Sequence, residues 1–358
     1  MQMKIALTAD VHLSEKGEHP ERLSGLRNVL QDAKSQGSEL CVVCGDLFDG
    51  QTRSCSHLDE LMSSPELGGI DLVVLRGNHD SRLRSADVVS DNVRIVTETV
   101  LERPDPQGLP ILMVSYDSGS NMGDEMARFQ SSLGPDGWIL LGHGDFLGGT
   151  REPNPYEPGT YMPLTAMDIR RFRPRTVVLG HIHRPHESGG VWYPGSPCGL
   201  DVTETGTRRY LLLDARSGRL ESRPVDSDVL YFVEDFLVVP GPEEESRLRR
   251  QVKERIDSWN LPEGEEEKVR VRVMANGYSS DKSRLREVLV EEFGRFRFHD
   301  PDGPDLSRVS GGGEERLDEI ARMAIERLDS TELRLGPDDT DLDRIRRKIL
   351  EVVYGETE

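Results

Sequence analysis

Five short clusters of aspartate, asparagine and histidine punctuate the first 183 residues of this 358-residue chain. They are Asp10-Val11-His12, Gly45-Asp46-Leu47-Phe48-Asp49, Gly77-Asn78-His79-Asp80, Gly142-His143-Gly144-Asp145 and Gly180-His181-Ile182-His183. Carboxylates, imidazoles and an amide oxygen are borderline-to-hard donors that suit Mn²⁺, Fe²⁺ or Zn²⁺. Residues two apart in extended backbone point the same way, so Asp10 and His12 can reach one side of a site, as can His181 and His183. The candidate ligands Asp10, His12, Asp46, Asn78, His143, His181 and His183 outnumber the needs of one ion. With one shared carboxylate they would serve a pair. Two ions about 3.5–4 Å apart clamp the attacking and leaving oxygens of a phosphoester and bring a shared water to hydroxide near neutral pH. Each cluster alone has a plainer reading, such as a capped turn for Gly-Asn-His-Asp or a satisfied strand-end histidine for Gly-His. All five in order, each at a strand end, point to a metal-dependent hydrolase.

Such a site needs a scaffold that gathers distant segments. Lys4–Ala9, Leu40–Cys44, Leu72–Leu75, Ile111–Ser115, Trp138–Leu141 and Thr176–Leu179 are short apolar runs, the form of strands covered on both faces. The chemistry sits just beyond them, where open α/β sheets place their sites. Leu23, Leu26, Val29, Leu30 and Ala33 recur at helical spacing, and Gly37 stops the helix. After about residue 225 the character changes. Leu230–Val239 alternates as a strand, and Val269, Val271 and Val273 make another with one solvated face. Leu248, Val252, Ile256 and Trp259 line one helix, Leu285, Val288, Leu289 and Phe293 a second, and Phe296 and Phe298 mark a last strand. Residues 301–313, with two prolines and Gly311-Gly312-Gly313, read as a linker. Two closing helices follow, lined by Leu317, Ile320, Ala324 and Leu328 and by Leu342, Ile345, Ile349 and Val353, with Gly336-Pro337 between them. This pair could dock on its own protein or bind a partner helix.

The 45 basic and 65 acidic residues give a formal charge of −20, whose long-range field opposes nonspecific binding to a polyanion. No run of about 18 apolar residues predicts a transmembrane helix. Met1-Gln2-Met3-Lys4 leads straight into the first strand and lacks a signal-peptide layout, which predicts a cytoplasmic protein. Cys41 and Cys44 form a C-x-x-C, but positions three apart in a strand face opposite ways and cannot easily share a metal. Retained thiols fit a reducing cytoplasm.

The order of the five clusters resembles that of the calcineurin-like metallophosphoesterases, and among them the SbcD-type DNA double-strand-break repair nucleases. The branch-level resemblance rests on Gly45-Asp46-Leu47-Phe48, on Gly77-Asn78-His79-Asp80 and on Tyr193-Pro194-Gly195-Ser196-Pro197, and it covers essentially the whole chain. It implies a mixed α/β architecture: a metallophosphoesterase β-sandwich flanked by helices over residues 1–227, a small α+β capping domain over 228–300, the linker, and a helical partner-binding module over 314–358. It implies two divalent ions, Mn²⁺, with Asp10, His12, Asp46 and His183 at the first, Asp46, Asn78, His143 and His181 at the second, and Asp46 bridging. His79 would be catalytic without ligating, donating a proton or hydrogen bond to the phosphate or leaving oxygen, a role that suits an imidazole titrating near operating pH. Asp80 or Asp145 could orient a neighbouring imidazole or simply cap a turn. Asp49 and Ser196 are further candidates for a supporting or substrate-contacting role. Nucleases of the branch usually carry His where this chain has Asp49, the general superfamily form.

The substrate so implied is DNA with double-stranded ends. The partners are a second copy of the chain in a homodimer and an SbcC-type coiled-coil ATPase held by residues 314–354. Arg170, Arg171, Arg173, Arg175 and Arg184 stand against Asp168 alone between Ala166 and His186. Arg82 and Arg84 follow the third cluster, and Arg208 and Arg209 add to the basic set. Arginine forks suit phosphate, although such residues also pair with surface acids. Lys268, Arg270 and Arg272 share one strand face that could meet DNA or plain solvent. Two other readings stand beside the nuclease. One is a phosphodiesterase or phosphatase acting on cyclic nucleotides or other small phosphoesters, which Asp49 and the acidity favour. The other is a non-catalytic scaffold, which the full ligand set disfavours.

Overall fold

A computed structural model describes residues 3–50, 54–134, 137–148, 159–311, 315–331 and 342–355. The Gly336-Pro337 break, Gly312-Gly313 and Met1-Gln2 lie outside the described residues. The chain divides into two compact units, Met1–Leu200 with Thr207–Val229, and Asp201–Gly206 with Leu230–Glu358.

The first unit is built on two six-stranded sheets. One runs, edge to edge, Leu220–Pro224 (β14), Arg209–Asp214 (β13), Lys4–Thr8 (β1), Leu40–Cys44 (β2), Asp71–Leu75 (β3) and Val93–Val96 (β4). The other runs His186–Ser188 (β11), Val191–Tyr193 (β12), Thr176–Gly180 (β10), Ile139–His143 (β7), Ile111–Met113 (β6) and Val100–Glu102 (β5). Phe146–Leu147 (β8) and Leu164–Thr165 (β9) form a small ribbon beside them. Strands β1 to β4 are mutually parallel, as are β6, β7 and β10.

Alternation along each strand explains the layers. Ile5, Leu7, Val42, Cys44, Val73 and Leu75 from one sheet meet Ile111, Met113, Ile139, Leu141 and Val178 from the other in a shared inner core. The intervening residues Ala6, Cys41, Val43, Leu72 and Val74 face outward under Pro20–Ser35 (α1) and Ser56–Met62 (α2). Leu112, Leu140, Val177 and Leu179 face outward under Met122–Arg128 (α3) and Ala166–Phe172 (α4). Each fully buried side chain of this kind contributes roughly 1.5–3 kcal/mol. The apolar strands are therefore covered on both faces, in a sandwich of mixed α/β class flanked by helices. Cys41 and Cys44 fall in different cores, as their spacing predicts, and burial pushes the Cys41 thiol up to about 12.

In the second unit, Leu230–Val238 (β15), Arg297–Phe298 (β17) and Asp305–Gly311 (β18) each pair parallel with Val269–Ser279 (β16). Glu244–Ser258 (α5) and Lys282–Phe293 (α6) bury Leu248, Val252, Ile256, Leu285, Val288, Leu289 and Phe293 in its core. Strand β18 departs from the linker expected over 301–313. Gly303 closes a turn onto Asp300 O at 2.9 Å, and Leu306 and Val309 are buried in the same core. Two apolar residues between prolines and glycines were too sparse a pattern to read as a strand. Glu315–Asp329 (α7) and Leu342–Tyr354 (α8) dock on their own unit: Ala321, Ile325 and Leu350 cluster with Val239 and Tyr278, and Tyr354 stacks on Tyr278 at 4.0 Å. Ile320, Met323, Leu342 and Val352 stay exposed. Among the described residues no helix is long and apolar enough to cross a membrane.

Candidate metal centre

Asp10, Asp46 and Asn78 lie just past the ends of the neighbouring parallel strands β1, β2 and β3. His143 ends β7, and His181 follows β10. Parallel strands deliver their C-terminal ends to one edge, so five segments far apart in sequence converge. The loops are stitched together there. His12 N donates to Asp46 O at 3.0 Å, Leu13 N to Leu47 O at 2.8 Å, and Asp49 N back to Leu13 O at 3.0 Å. Across the sandwich, His181 N donates to Asp10 Oδ1 at 2.8 Å.

Each buried aspartate uses one oxygen on backbone and turns the other inward. Asp46 Oδ1 accepts from His79 N at 2.9 Å, while Oδ2 lies 3.7 Å from His12 Nε2 and 3.3 Å from His143 Nε2. Asp46 Oδ2 thus stands between the two histidines. Asn78 Oδ1 lies 2.8 Å from His143 Nε2 and 3.2 Å from His181 Nδ1. The His12 and His183 rings are 4.9 Å apart. Ligand atoms of Asp10, His12 and His183 all lie within 4.8 Å of one another, as do those of Asp10, Asp46 and His143.

Two buried atoms of this cluster, Asp10 Oδ2 and His12 Nε2, have no hydrogen-bond partner. An orphaned carboxylate oxygen and imidazole nitrogen are costly in a protein interior unless something else, such as a cation, satisfies them. Backbone strain marks the same residues. Asp10, His12 and Asp46 hold φ of 52°, 49° and 51°, and His181 holds 99°. Such conformations cost about 1–3 kcal/mol each and collect at functional sites.

The electrostatics agree. Burial raises Asp10 to about 6 against the pull of His183 and His143. Burial drives His12 down to about 3. Burial would also raise Asp46, but the His143 and His12 imidazoles outweigh it and hold it well below the carboxylate range. Burial opposes a charged His143, yet Asp46 and Asp10 lift it to about 10. Two buried carboxylates demand positive charge, which a divalent ion would supply. The donor set, the orphaned atoms and the charge balance all fit metal.

Residues 3–185 match the family model described as calcineurin-like phosphoesterase. The chain belongs to that family. Solved structures similar to this phosphoesterase include TT1561 of Thermus thermophilus, at 15% identity over 63% of this chain and 99% of that one, TM-score 0.37. A dimetal phosphatase from Danio rerio matches at 12% identity over 62% of this chain and 96% of that one, TM-score 0.40. GAP50, the anchor in the inner membrane complex of Plasmodium, matches at 11% identity over 63% and 89%, TM-score 0.38. No curated protein matches the phosphoesterase in sequence. The family uses dinuclear divalent metals, and the Asp/His groups of this chain are of the kind that binds them.

The other candidate residues have varied places. His79 is partly exposed, its ring 4.7 Å from His12, and it lines a cavity of about 450 Å³ with Phe48, Asp49, Asp80, Arg82 and Leu83. Its ring nitrogen lies near enough to His12 and Asp46 to join a ligand group, but it alone of the three reaches the cavity. Asp49 lies 3.9 Å from Arg22. Asp80 is a turn organiser: it accepts from Gly77 N at 2.7 Å, Leu47 N at 2.8 Å and Phe48 N at 3.2 Å. Asp145 accepts from Tyr161 N at 2.7 Å and comes within 3.9 Å of His181 Nε2. Ser196 is fully buried behind His183 rather than open to a substrate.

The basic cluster is dispersed. Arg170 and Arg171 end α4, and Arg173 and Arg175 precede β10, whereas His181 follows it. A five-residue strand spans roughly 16 Å, so these arginines sit toward the far end from the metal ligands. Arg84 is exposed and paired with Asp87 at 2.9 Å. Arg208 is buried, and Arg209 bonds to Ser222. Arg272 pairs with Asp300, and Lys268 with Glu265. Arg82, on the His79 cavity, and exposed Arg184, next to His183, remain beside the site. The Tyr161 ring, 4.8 Å from His181, and the buried Arg22 carry no local pattern that ties them to distant residues, and Arg208, expected in the basic set, is buried instead.

Proposed function

We propose that this phosphoesterase is a DNA nuclease that acts on double-stranded ends, as the catalytic subunit of a repair complex with an SbcC-type coiled-coil ATPase. The observation that carries this reading is the arrangement of the chain. A cluster of candidate metal ligands on a sandwich is followed by a parallel β-α unit and a closing helix pair, together with the Gly-Asp-Leu-Phe, Gly-Asn-His-Asp and Tyr-Pro-Gly-Ser-Pro segments.

Asp10, His12, Asp46 and His183 would hold one divalent ion, and Asp46, Asn78, His143 and His181 the other, Mn²⁺ in each case. When bound, these ions supply Lewis-acid charge against the phosphoester oxygens and acidify water. The chain's own residues do the rest. Asp46, pinned by His79 N, keeps the two ligand sets in register. His79 faces the cavity and delivers a proton or hydrogen bond to the leaving oxygen, worth typically 10²–10⁴-fold. Arg82 at the cavity offers a fork to a neighbouring phosphate. Helices α7 and α8 leave Ile320, Met323, Leu342 and Val352 exposed, apolar side chains that the ATPase would cover. Two copies of the chain would bring two sites to one DNA, in the cytoplasm.

The test is a substrate panel with Mn²⁺: linear duplex DNA, bis-p-nitrophenyl phosphate and cyclic nucleotides. Faster turnover of linear duplex, stimulated by ATP and the partner, supports the nuclease. The second reading, a small-phosphoester hydrolase, is favoured by Asp49 and by the net charge of −20, and exclusive turnover of the small substrates would establish it. The clustering of the candidate ligands disfavours a scaffold without activity.

A further inference from the structure

Two buried arginines approach the metal centre from behind. Arg22, in the first turn of α1, is 9% exposed. Its Nη1 donates to His12 O at 2.8 Å and Ser14 Oγ at 3.1 Å, with the Asp49 carboxylate at 3.9 Å. Arg208, just ahead of β13, is 2% exposed. Its Nη2 donates to His183 O and, at 2.8 Å, to Ser196 Oγ, while Nε donates to Ser196 O at 3.0 Å. Ser196 N closes the arrangement by donating to His183 O at 3.0 Å. The two carbonyls so held belong to both histidines of one group, Asp10, His12 and His183.

Electrostatics does not explain these arginines, since a buried guanidinium beside a cation site repels the cation. Geometry does. His12 holds a left-handed backbone that needs outside restraint. Arg208 directs Nε and Nη2 at fixed angles, which a lysine cannot do, and Arg22 reaches His12 O and Ser14 Oγ through the terminal Nη1 of its longer side chain. We propose that Arg22 and Arg208 are paired positioning residues that aim His12 and His183 at one metal ion by clamping their backbone carbonyls. This rests on the Asp10–His12–His183 group holding an ion.

The two accounts predict opposite signs. If charge repulsion dominates, Arg208→Gln tightens metal binding. If positioning dominates, Arg208→Gln, Arg208→Lys and Arg22→Lys all weaken one ion of the pair. The test titrates Mn²⁺ alone into the full chain by calorimetry, with free Mn²⁺ read by electron paramagnetic resonance. Circular dichroism without metal checks folding. Each variant should lose roughly 10–100-fold in affinity at one site, the scale of groups that orient ligands from behind, and keep the other within about twofold. Unchanged binding, tighter binding in Arg208→Gln, or equal weakening of both ions would overturn the proposal. So would failure of both Lys variants to fold, because the arginines would then hold the domain and not the histidines. A wild-type chain that binds no Mn²⁺ would instead remove the metal reading itself.

Discussion

Replacing Gly45 with alanine tests the geometry of the centre directly. Gly45 holds φ +89°, and a Cβ built there would overlap the His143 imidazole. The left-handed backbone alone costs a residue with a Cβ about 1–2 kcal/mol. The overlap adds a positional penalty. Relieving it drives the ring by about 1 Å from its place 2.8 Å from Asn78 and 3.3 Å from Asp46, and a shift of that size costs on the order of 10²-fold in rate. Gly69 supplies the control: φ is +86°, but nothing lies within 4 Å of its added Cβ. Mn²⁺-dependent hydrolysis of bis-p-nitrophenyl phosphate and thermal unfolding are measured on both variants. Gly69→Ala should lose only the backbone part of stability and keep its kcat. Gly45→Ala should lose at least as much stability and about 100-fold in kcat. Equal kcat in the two variants would refute the steric argument, and a Gly45→Ala protein as stable as wild type would refute the backbone argument as well.

His79→Ala should keep both Mn²⁺ ions by calorimetry while phosphodiester cleavage falls roughly 10²–10⁴-fold, and loss of metal would show that His79 ligates. Burial raises Asp32, but hydrogen bonds from Arg223 and Tyr210 hold it below its ordinary value. Its stabilisation is therefore present above the unfolded value of about 4 and lost as pH falls through the lower folded one. The melting-temperature gap between wild type and Asp32→Asn should be full at pH 7 and close in acid; a gap independent of pH would contradict this. If α7 and α8 hold the proposed coiled-coil ATPase, Met323→Glu with Val352→Glu, both exposed, should abolish its capture without lowering the melting temperature. Intact capture would move the partner site elsewhere. Fluorescence anisotropy of the lone chain on linear duplex should show weak binding that disappears as salt rises. Tight, salt-insensitive binding would mean that the −20 charge has been overcome by a basic surface outside the residues named above.

Much of the first unit was legible because its signals are local and rigid. Val42-Val43 and Val73-Val74 can only be strands covered on both faces, and a parallel strand has one end where a ligand can sit. Asp46 and Asn78 occupy those ends. The helix over Leu23–Ala33 was legible for the same reason, since its stripe repeats four times before Gly37. Strand β18 was not, because Leu306 and Val309 are buried by partners on β16 and α6 that no short window contains. Nor was the left-handed backbone at Asp10 or His12. That conformation is imposed by the stitched loops around it and runs against the preference of the residues themselves.

The arginines show the limit most clearly. Arg170 to Arg184 form one basic run in sequence, yet α4 and β10 are stiff and carry its members to different ends of a sheet. Arg22 and Arg208 lie far apart in sequence, yet they reach the two histidines of one group. Proximity along the chain holds only where no rigid element intervenes, and convergence in space needs strand ends that share an edge. Candidate ligands two apart, such as Asp10 and His12, survive that filter. Charge runs longer than a turn do not, and their sign predicts a local field only after the elements have been placed.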